Sequence, residues 1–219
     1  EIITRHTITA REEERRRVSR ELHDGPLQSL ISLWRDLDAL RSVAPEPQSE
    51  QLSRARGTTE AIADELRRFS RDLRPSVLDD LGVAAALRAE AERMGADTGI
   101  DFRLDTVGTP RRLGTETETA LLRIAQEAFR NTVRHAMATQ ARATLEYGPP
   151  GVRLRIADDG IGLDPIPTPS ELLDGSHLGV IGMRERARMI GGTVLLQAAS
   201  LGGLEVTVDI PESSLQRSV

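Results

Sequence analysis

The chain has 219 residues, a formal net charge of −5 and 38% hydrophobic residues, enough for one large domain or two small ones. The mildly acidic balance, with no domain-wide basic face, argues against direct nucleic-acid binding. The absence of cysteine excludes disulfides and thiolate metal sites, and no run approaches the roughly 18 to 20 apolar residues of a membrane helix. The five aromatic residues are Trp34, Phe69, Phe102, Phe129 and Tyr147, so any core must come mainly from Leu, Ile, Val and Ala. Every basic side chain is Arg, which reads as codon bias rather than chemistry. The chain begins at Glu1 and shows no signal peptide. We therefore expect a cytoplasmic fragment, with a sensor or membrane region compatible upstream.

Residues from about 5 to 41 read as one long helix, with Leu22, Leu30, Leu33, Leu37 and Leu40 as its apolar stripe and Pro26 interrupting it. The Arg11–Arg17 run mixes signs and reads as a solvated face with i,i+4 pairs. Ser42–Ser49 is a turn rich in breakers. A second helix follows, with Leu52, Ala55, Thr59, Ile62, Leu66, Phe69 and Leu73 spaced as a heptad seam. It ends at Leu73-Arg74-Pro75, because proline disfavours helix at the residue before it. Such a hairpin buries little alone, so the expected solution is a dimeric four-helix bundle. An intramolecular helical cap is the alternative.

A new unit starts near Asp79, placing the expected boundary between residues 1–78 and 79–219. Helical patterns at 83–94, 115–137 and 180–190 alternate with strand patterns at Ile100–Leu104, 141–147, 151–157, 193–199 and 204–210. Gly191-Gly192 reads as a helix C-cap, and 164–178, with three prolines, reads as a loop suited to a lid. The mixture implies a two-layer α/β sandwich.

Several residues invite chemistry. His23 precedes Asp24, and Gln28 shares a helix face with Asp24. Neutral imidazole is a competent nucleophile near pH 7, and an adjacent carboxylate can hold the proton on its other nitrogen. Read alone, the pair is more readily an ordinary surface feature, since such pairs are common. Gly25-Pro26 costs a helix interior about 1 and about 3 kcal/mol relative to Ala, which points to local pliability or to a tolerated kink. On the later helix, Glu127 and Asn131 are one turn apart, a donor pair suited to Mg²⁺, and Arg134 and His135 offer phosphate donors. A solvated polar face is the alternative there. Asp158-Asp159-Gly160-Ile161-Gly162 follows an alternating strand: a carboxylate at a pocket base can accept from the amine of adenine, and an Asp-Gly turn is the bland reading. Gly179 and Gly182 open a helix whose N-terminus favours phosphate.

Taken together these segments resemble the core of bacterial two-component sensor histidine kinases of the class that partners NarL-type response regulators (the DesK/NarX/LiaS-like group). The resemblance rests on Glu21-Leu22-His23-Asp24 with Gln28, on Leu73-Arg74-Pro75 through Leu78–Gly82, and on Gln126-Glu127-Ala128 with Asn131 and Arg134-His135-Ala136. It rests also on Asp158, Gly160 and Gly162, and on Leu178-Gly179 with Gly182–Arg186. It runs over about residues 10 to 211.

The resemblance implies a dimerisation and phosphotransfer hairpin followed by a Bergerat/GHKL-type ATP-binding domain. It implies ATP and Mg²⁺ as cofactors, and a homodimer and a NarL-type regulator as partners. His23 becomes the phosphorylated residue, Asp24 its acid/base partner and Gln28 the group that orients water during dephosphorylation of the regulator. Asn131 and Glu127 would hold Mg²⁺, Asp158 the adenine, and Arg134, His135, Gly160, Gly162, Gly179 and Gly182 the nucleotide. Departures from the family pattern are His177, Leu204 and Arg134, where glycine, threonine and lysine are common. Rival readings are a GHKL-type serine kinase or ATPase, and a dimeric scaffold with a vestigial nucleotide pocket.

Overall fold

A computed structural model describes residues 10, 13–15, 17–19, 21–73, 76–163, 178–200 and 202–215. The chain divides into two compact units, Glu1–Ser76 and Val77–Val219. No helix among the described residues is long and apolar enough to cross a membrane.

The first unit is a helical hairpin. A π-helical turn, His23–Leu27, runs directly into α1 (Gln28–Val43), and α2 (Gln48–Leu73) returns alongside it. Pro26 therefore does not break the helix; it widens one turn. Proline brings no N–H, and a π turn carries one residue more than an α turn. The Gly25 carbonyl is met by the Gln28 N–H and, at 3.1 Å, by the Ser29 hydroxyl. The breaker-rich turn shrinks to Ala44–Pro47, since α1 extends to Val43 and α2 starts at Gln48.

The heptad seam is split in two. Leu52, Arg56, Thr59, Ala63, Leu66 and Ser70 are buried or half-buried, whereas Ala55, Ile62 and Phe69 are exposed. On α1, Leu30, Trp34 and Leu37 are half-buried while Leu33 and Leu40 are exposed. A two-helix contact is narrow and covers one row of each seam; the second row faces outward. Cross-links of the hairpin are polar as well as apolar. Arg56 lies over the Trp34 ring at 5.1 Å and donates to Asp38 at 3.0 Å, and Ser19 and Ser70 pair through their hydroxyls at 3.1 Å.

In the second unit, α3 (Ser76–Leu81) and α4 (Val83–Thr98) precede β1 (Asp101–Val107). Then come α5 (Thr115–Asn131), β2 (Gln140–Gly148), β3 (Gly151–Asp158), α6 (Leu178–Met189), β4 (Thr193–Ala198), β5 (Leu204–Pro211) and α7 (Glu212–Leu215). The five strands form one sheet in the order β1-β2-β3-β5-β4, with β1 parallel to β2 and all other neighbours antiparallel. One face of the sheet supplies Phe102, Ala143, Leu145, Leu154, Ile156, Val206 and Val208 to a core shared with Leu87, Leu121, Phe129 and Met183 of the helices. Phe102 and Phe129 meet edge to face, 5.0 Å between centroids. The opposite face is charged and laced by pairs such as Arg153–Asp209 and Arg155–Glu146. This is the expected two-layer arrangement.

The expected single helix over 115–137 becomes α5 plus a second π turn, Thr132–Ala136, closed by Met137 in the left-handed region at φ 53°. The glycine C-cap is realised at Gly191, with φ +69°, whose N–H reaches the Arg188 carbonyl at 3.0 Å. The lid reading of 164–178 falls, but for Leu178, outside the described residues, as do His177, Arg74 and Pro75.

Candidate nucleotide site and phosphoacceptor turn

Helix α5 is buried almost all round. From Glu118 to Asn131 only Thr119, Glu127, Arg130 and Asn131 are not buried. Two of these, Glu127 and Asn131, line a cavity of about 520 Å³ between α5 and the start of α6. The polar face that holds Glu127 and Asn131 is thus a narrow strip that opens on this cavity.

The same cavity collects Arg134, His135, Asp158, Gly162 and Gly179, together with Ala128, Thr132, Ile156, Ile161, Leu163, Val180, Leu204 and Val206. Seven residues singled out from sequence thus come together, from segments more than fifty positions apart. The apolar members would grip a ring; Arg134 and His135 stand just beyond the end of α5, and Asp158 at the end of β3. The second π turn sets the placement of Arg134 and His135, and its Ala136 carbonyl accepts the Ile161 N–H at 2.8 Å, tying the turn to the loop after β3.

Asp158 ends β3 on the helix-facing side, continuing the alternation Val152, Leu154, Ile156. It is 5% exposed. Its Oδ1 accepts the Gly160 N–H at 3.0 Å and the Leu204 N–H at 3.2 Å, and Oδ2 lies 3.3 Å from the Thr132 hydroxyl. A carboxylate so fixed is an acceptor only, which suits an amine donor and repels a carbonyl oxygen. Neighbouring Asp159 faces the other way. It accepts from the Thr139 N–H at 2.8 Å, the Thr139 hydroxyl at 2.6 Å and the Gln140 N–H at 3.0 Å. The Thr139 hydroxyl and these amides lower its carboxyl to about 2.

The glycines divide by task. Gly162 and Gly179 line the cavity, whereas Gly160 and Gly182 do not. Gly160 lies against the Ala136 backbone, where a Cβ would come within 2.2 Å of the Ala136 carbonyl oxygen. Gly182 lies a turn farther along α6, beside the Arg186 guanidinium. Sequence reasoning missed Gly203: a Cβ there would lie 2.0 Å from Asp158 Oδ1. It also missed Thr132. The only sequence signal for either is local, a Gly-Gly pair before a strand and a hydroxyl next to Asn131.

Glu127 is paired with Arg130, one turn away on the exposed side, and its Oε1 lies where a Cβ on Gly179 would stand. Among the described residues no cluster of three or more His, Cys, Asp or Glu forms a metal cage. Any cation here must therefore rely on few protein oxygens.

In the hairpin, His23 opens the first π turn; its side chain lies outside the described residues. Asp24 and Gln28 are exposed, and Leu27 is buried at the base of the same turn. The turn thus anchors by one leucine and presents Asp24 to solvent.

Residues 14–78 match the family model described as histidine kinase (HisKA_3). Residues 116–214 match the model of histidine kinase-, DNA gyrase B-, and HSP90-like ATPases. The chain is 38% identical over 217 residues to the sensor histidine kinase MctS of Rhizobium johnstonii, covering 97% of this chain and 46% of that protein. It is 34% identical over 206 residues to the oxygen sensor histidine kinase NreB of Staphylococcus carnosus, covering 94% of this chain and 58% of that protein. The chain spans about half the length of these curated relatives. Among solved structures, the histidine kinase domain from Erythrobacter litoralis EL346 blue-light activated histidine kinase has a similar fold. It aligns with a TM-score of 0.52 at 16% identity, over 88% of this chain and 98% of that one. A helical region followed by a GHKL-type α/β layer is therefore the fold.

Proposed function

Because the chain belongs to the sensor histidine kinase family, we propose that it is an ATP-dependent autokinase core which phosphorylates its own His23. The observation that carries this reading is the cavity that gathers Asp158, Asn131, Glu127, Arg134 and His135, in a chain whose other unit carries the His23-Asp24 pair at the start of a π turn.

Asp158 accepts the exocyclic amine of adenine, and the apolar walls hold the ring. Arg134, His135 and the start of α6 at Gly179 receive phosphate oxygens, with Gly160 and Gly182 supporting from behind. An imidazole nitrogen of His23 attacks the γ-phosphorus. The bond from that phosphorus to the β–γ bridging oxygen breaks, and ADP leaves. Asp24 takes or holds the proton on the other ring nitrogen as positive charge builds there. The phosphoryl group then passes to an aspartate of a NarL-type response regulator. Gln28 orients the water that later hydrolyses the regulator's acyl phosphate.

Asn131 and Glu127 fit Mg²⁺ by donor chemistry: two hard oxygens one turn apart, in a pocket open to water and phosphate. When bound, that ion would supply neutralisation of charge on the phosphate chain.

We assign residues 1–78 to dimerisation and phosphotransfer and 79–219 to ATP binding, and place this core in the cytoplasm, where ATP and the regulator are found. A homodimer is supported by α1, none of whose residues is buried in the single chain. Leu33 and Leu40 on α1, and Ile62 and Phe69 on α2, recur every seven residues and remain exposed. Such paired stripes are what a four-helix bundle buries.

The test is incubation with labelled ATP and Mg²⁺. Acid-labile, alkali-stable label that disappears in His23→Gln is expected. Acid-stable label on serine would favour a serine kinase, and no label a scaffold; either sinks the reading.

A further inference from the structure

Asp158 is held by groups from three separate parts of the chain. Its Oδ1 takes two backbone donors, Gly160 N–H and Leu204 N–H, which occupy both lone-pair directions of that oxygen. The carboxylate therefore cannot turn without losing both. Oδ2 has the Thr132 hydroxyl at 3.3 Å and one direction left, in a cavity that both residues line.

Thr132 is 3% exposed. Its hydroxyl has a second acceptor in reach, the Ala128 carbonyl one turn back at 3.2 Å. That back-bond is the habit of any helical threonine and would satisfy the hydroxyl by itself. The Ala128 carbonyl, however, already receives the Thr132 backbone N–H. The hydroxyl carries a single proton, and the carboxylate is the stronger acceptor of the two. Valine has the same shape and would fill this buried place with no polar atom to satisfy.

Resting on the reading of Asp158 as the acceptor for the adenine amine, we propose that Thr132 is a positioning residue for base selection. Its hydroxyl donates to Asp158 Oδ2 and so fixes which direction on that oxygen is left for the amine. Without the hydroxyl, two directions on Oδ2 are open, water fills them, and the amine must compete for its place.

The experiment compares binding of ATP with that of purine riboside triphosphate, which has hydrogen in place of the amine, to the full chain without metal. Thr132→Val is expected to weaken ATP about five- to tenfold and the amine-free nucleotide by no more than about twofold. Thr132→Ser, which keeps the hydroxyl, should retain the preference for ATP. If Thr132→Val does not fold, judged by its melting curve, Thr132→Ala removes the same hydroxyl. Equal weakening of both nucleotides, or of neither, would overturn the proposal and leave Thr132 a packing residue with Asp158 still the base-reading group. A wild-type chain that binds the two nucleotides equally would instead overturn the reading of Asp158, and the role of Thr132 with it.

Discussion

Arg112 holds Glu118 in a two-pronged ion pair, its Nε and Nη2 each 3.1 Å from a different carboxylate oxygen. The Glu118 side chain is 2% exposed and also accepts the Leu113 N–H at 3.0 Å. The same guanidinium donates to the Asp79 carbonyl at 3.0 Å and the Leu78 carbonyl at 3.4 Å, satisfying the open end of α3. Removing it strands a carboxylate in the interior. Arg112→Ala should destabilise the Val77–Val219 unit by about 2 kcal/mol, less than the roughly 3–5 kcal/mol for breaking a fully buried pair, because the guanidinium is itself half in water. Arg112→Lys should recover only part, since an ammonium lacks the fork. Urea unfolding of the chain, followed by far-UV dichroism, checks both.

Gly203 does not line the cavity, yet its missing side chain leaves room for Asp158. A methyl group there would meet Asp158 Oδ1 at 2.0 Å and its carbonyl oxygen at 2.4 Å. Gly203→Ala should therefore push the carboxylate out of place. ATP binding should fall at least about tenfold, the loss of a good hydrogen bond to a charged group. Calorimetric titration with ATP measures it; unchanged affinity would mean that the loop yields instead.

The exposed heptad rows predict that assembly can be separated from folding. Leu33→Glu with Ile62→Glu puts like charges on the stripes without touching the buried row of Thr59 and Ala63. Sedimentation equilibrium should show monomer where the parent chain shows dimer, with helix content largely kept. A variant that still sediments as a dimer would move the interface elsewhere.

Asp159 makes a pH prediction with a definite sign. Its carboxyl is lowered to about 2 from an ordinary 3.8, chiefly by the Thr139 hydroxyl and the Gln140 amide. The folded state therefore binds this proton more weakly than the unfolded chain. The stabilisation is complete above about pH 4 and is lost as pH falls toward 2. In Asp159→Asn, the acid limb of the stability curve should be flatter in that window, as read by urea midpoints at successive pH values. An identical slope in the variant would count against it.

The roles proposed for the first π turn predict that two activities can be separated. Pro26→Ala restores a backbone donor and should stabilise the hairpin, by no more than the roughly 3 kcal/mol that proline costs a helix interior. It should also shift the balance between His23 labelling and regulator dephosphorylation. Gln28→Ala should reduce dephosphorylation while labelling persists. Equal loss of both would argue against a separate water-orienting role for Gln28.

Much of this was legible because periodicity and punctuation agree locally. The alternation Val152, Leu154, Ile156 marks β3, and the same alternation carries Asp158 to the inner face. Gly191 marks the end of α6 because a left-handed residue is needed there. The split seam was not legible: Ile62 and Thr59 look equivalent in a heptad, and only a partner helix decides which row is covered. The buried circumference of α5 was hidden too. Its polar residues Glu118, Arg123 and Gln126 imply a wet face, yet Glu118 is matched with Arg112, and Arg123 with Gln126 at 2.9 Å. Nor could spacing reveal that Gly203 and Thr132 converge on Asp158, since the first depends on β5 lying beside β3 and the second on the turn after α5 packing against the end of β3.

Both π turns occur where the chemistry is expected, at His23–Leu27 and at Thr132–Ala136. Each contains one residue more than an α turn needs, and an extra residue rotates everything after it by roughly 100° about the helix axis. In register terms the two turns are phase shifts. The first offsets exposed Asp24 from the leucines in α1, so the polar residue of the turn and the hairpin's packing rows need not obey one periodicity. The second offsets Arg134 and His135 from Glu127 and Asn131, so one helix brings two differently phased polar pairs to the same cavity. A relative lacking either residue would be out of phase from that point on, even with every functional side chain retained.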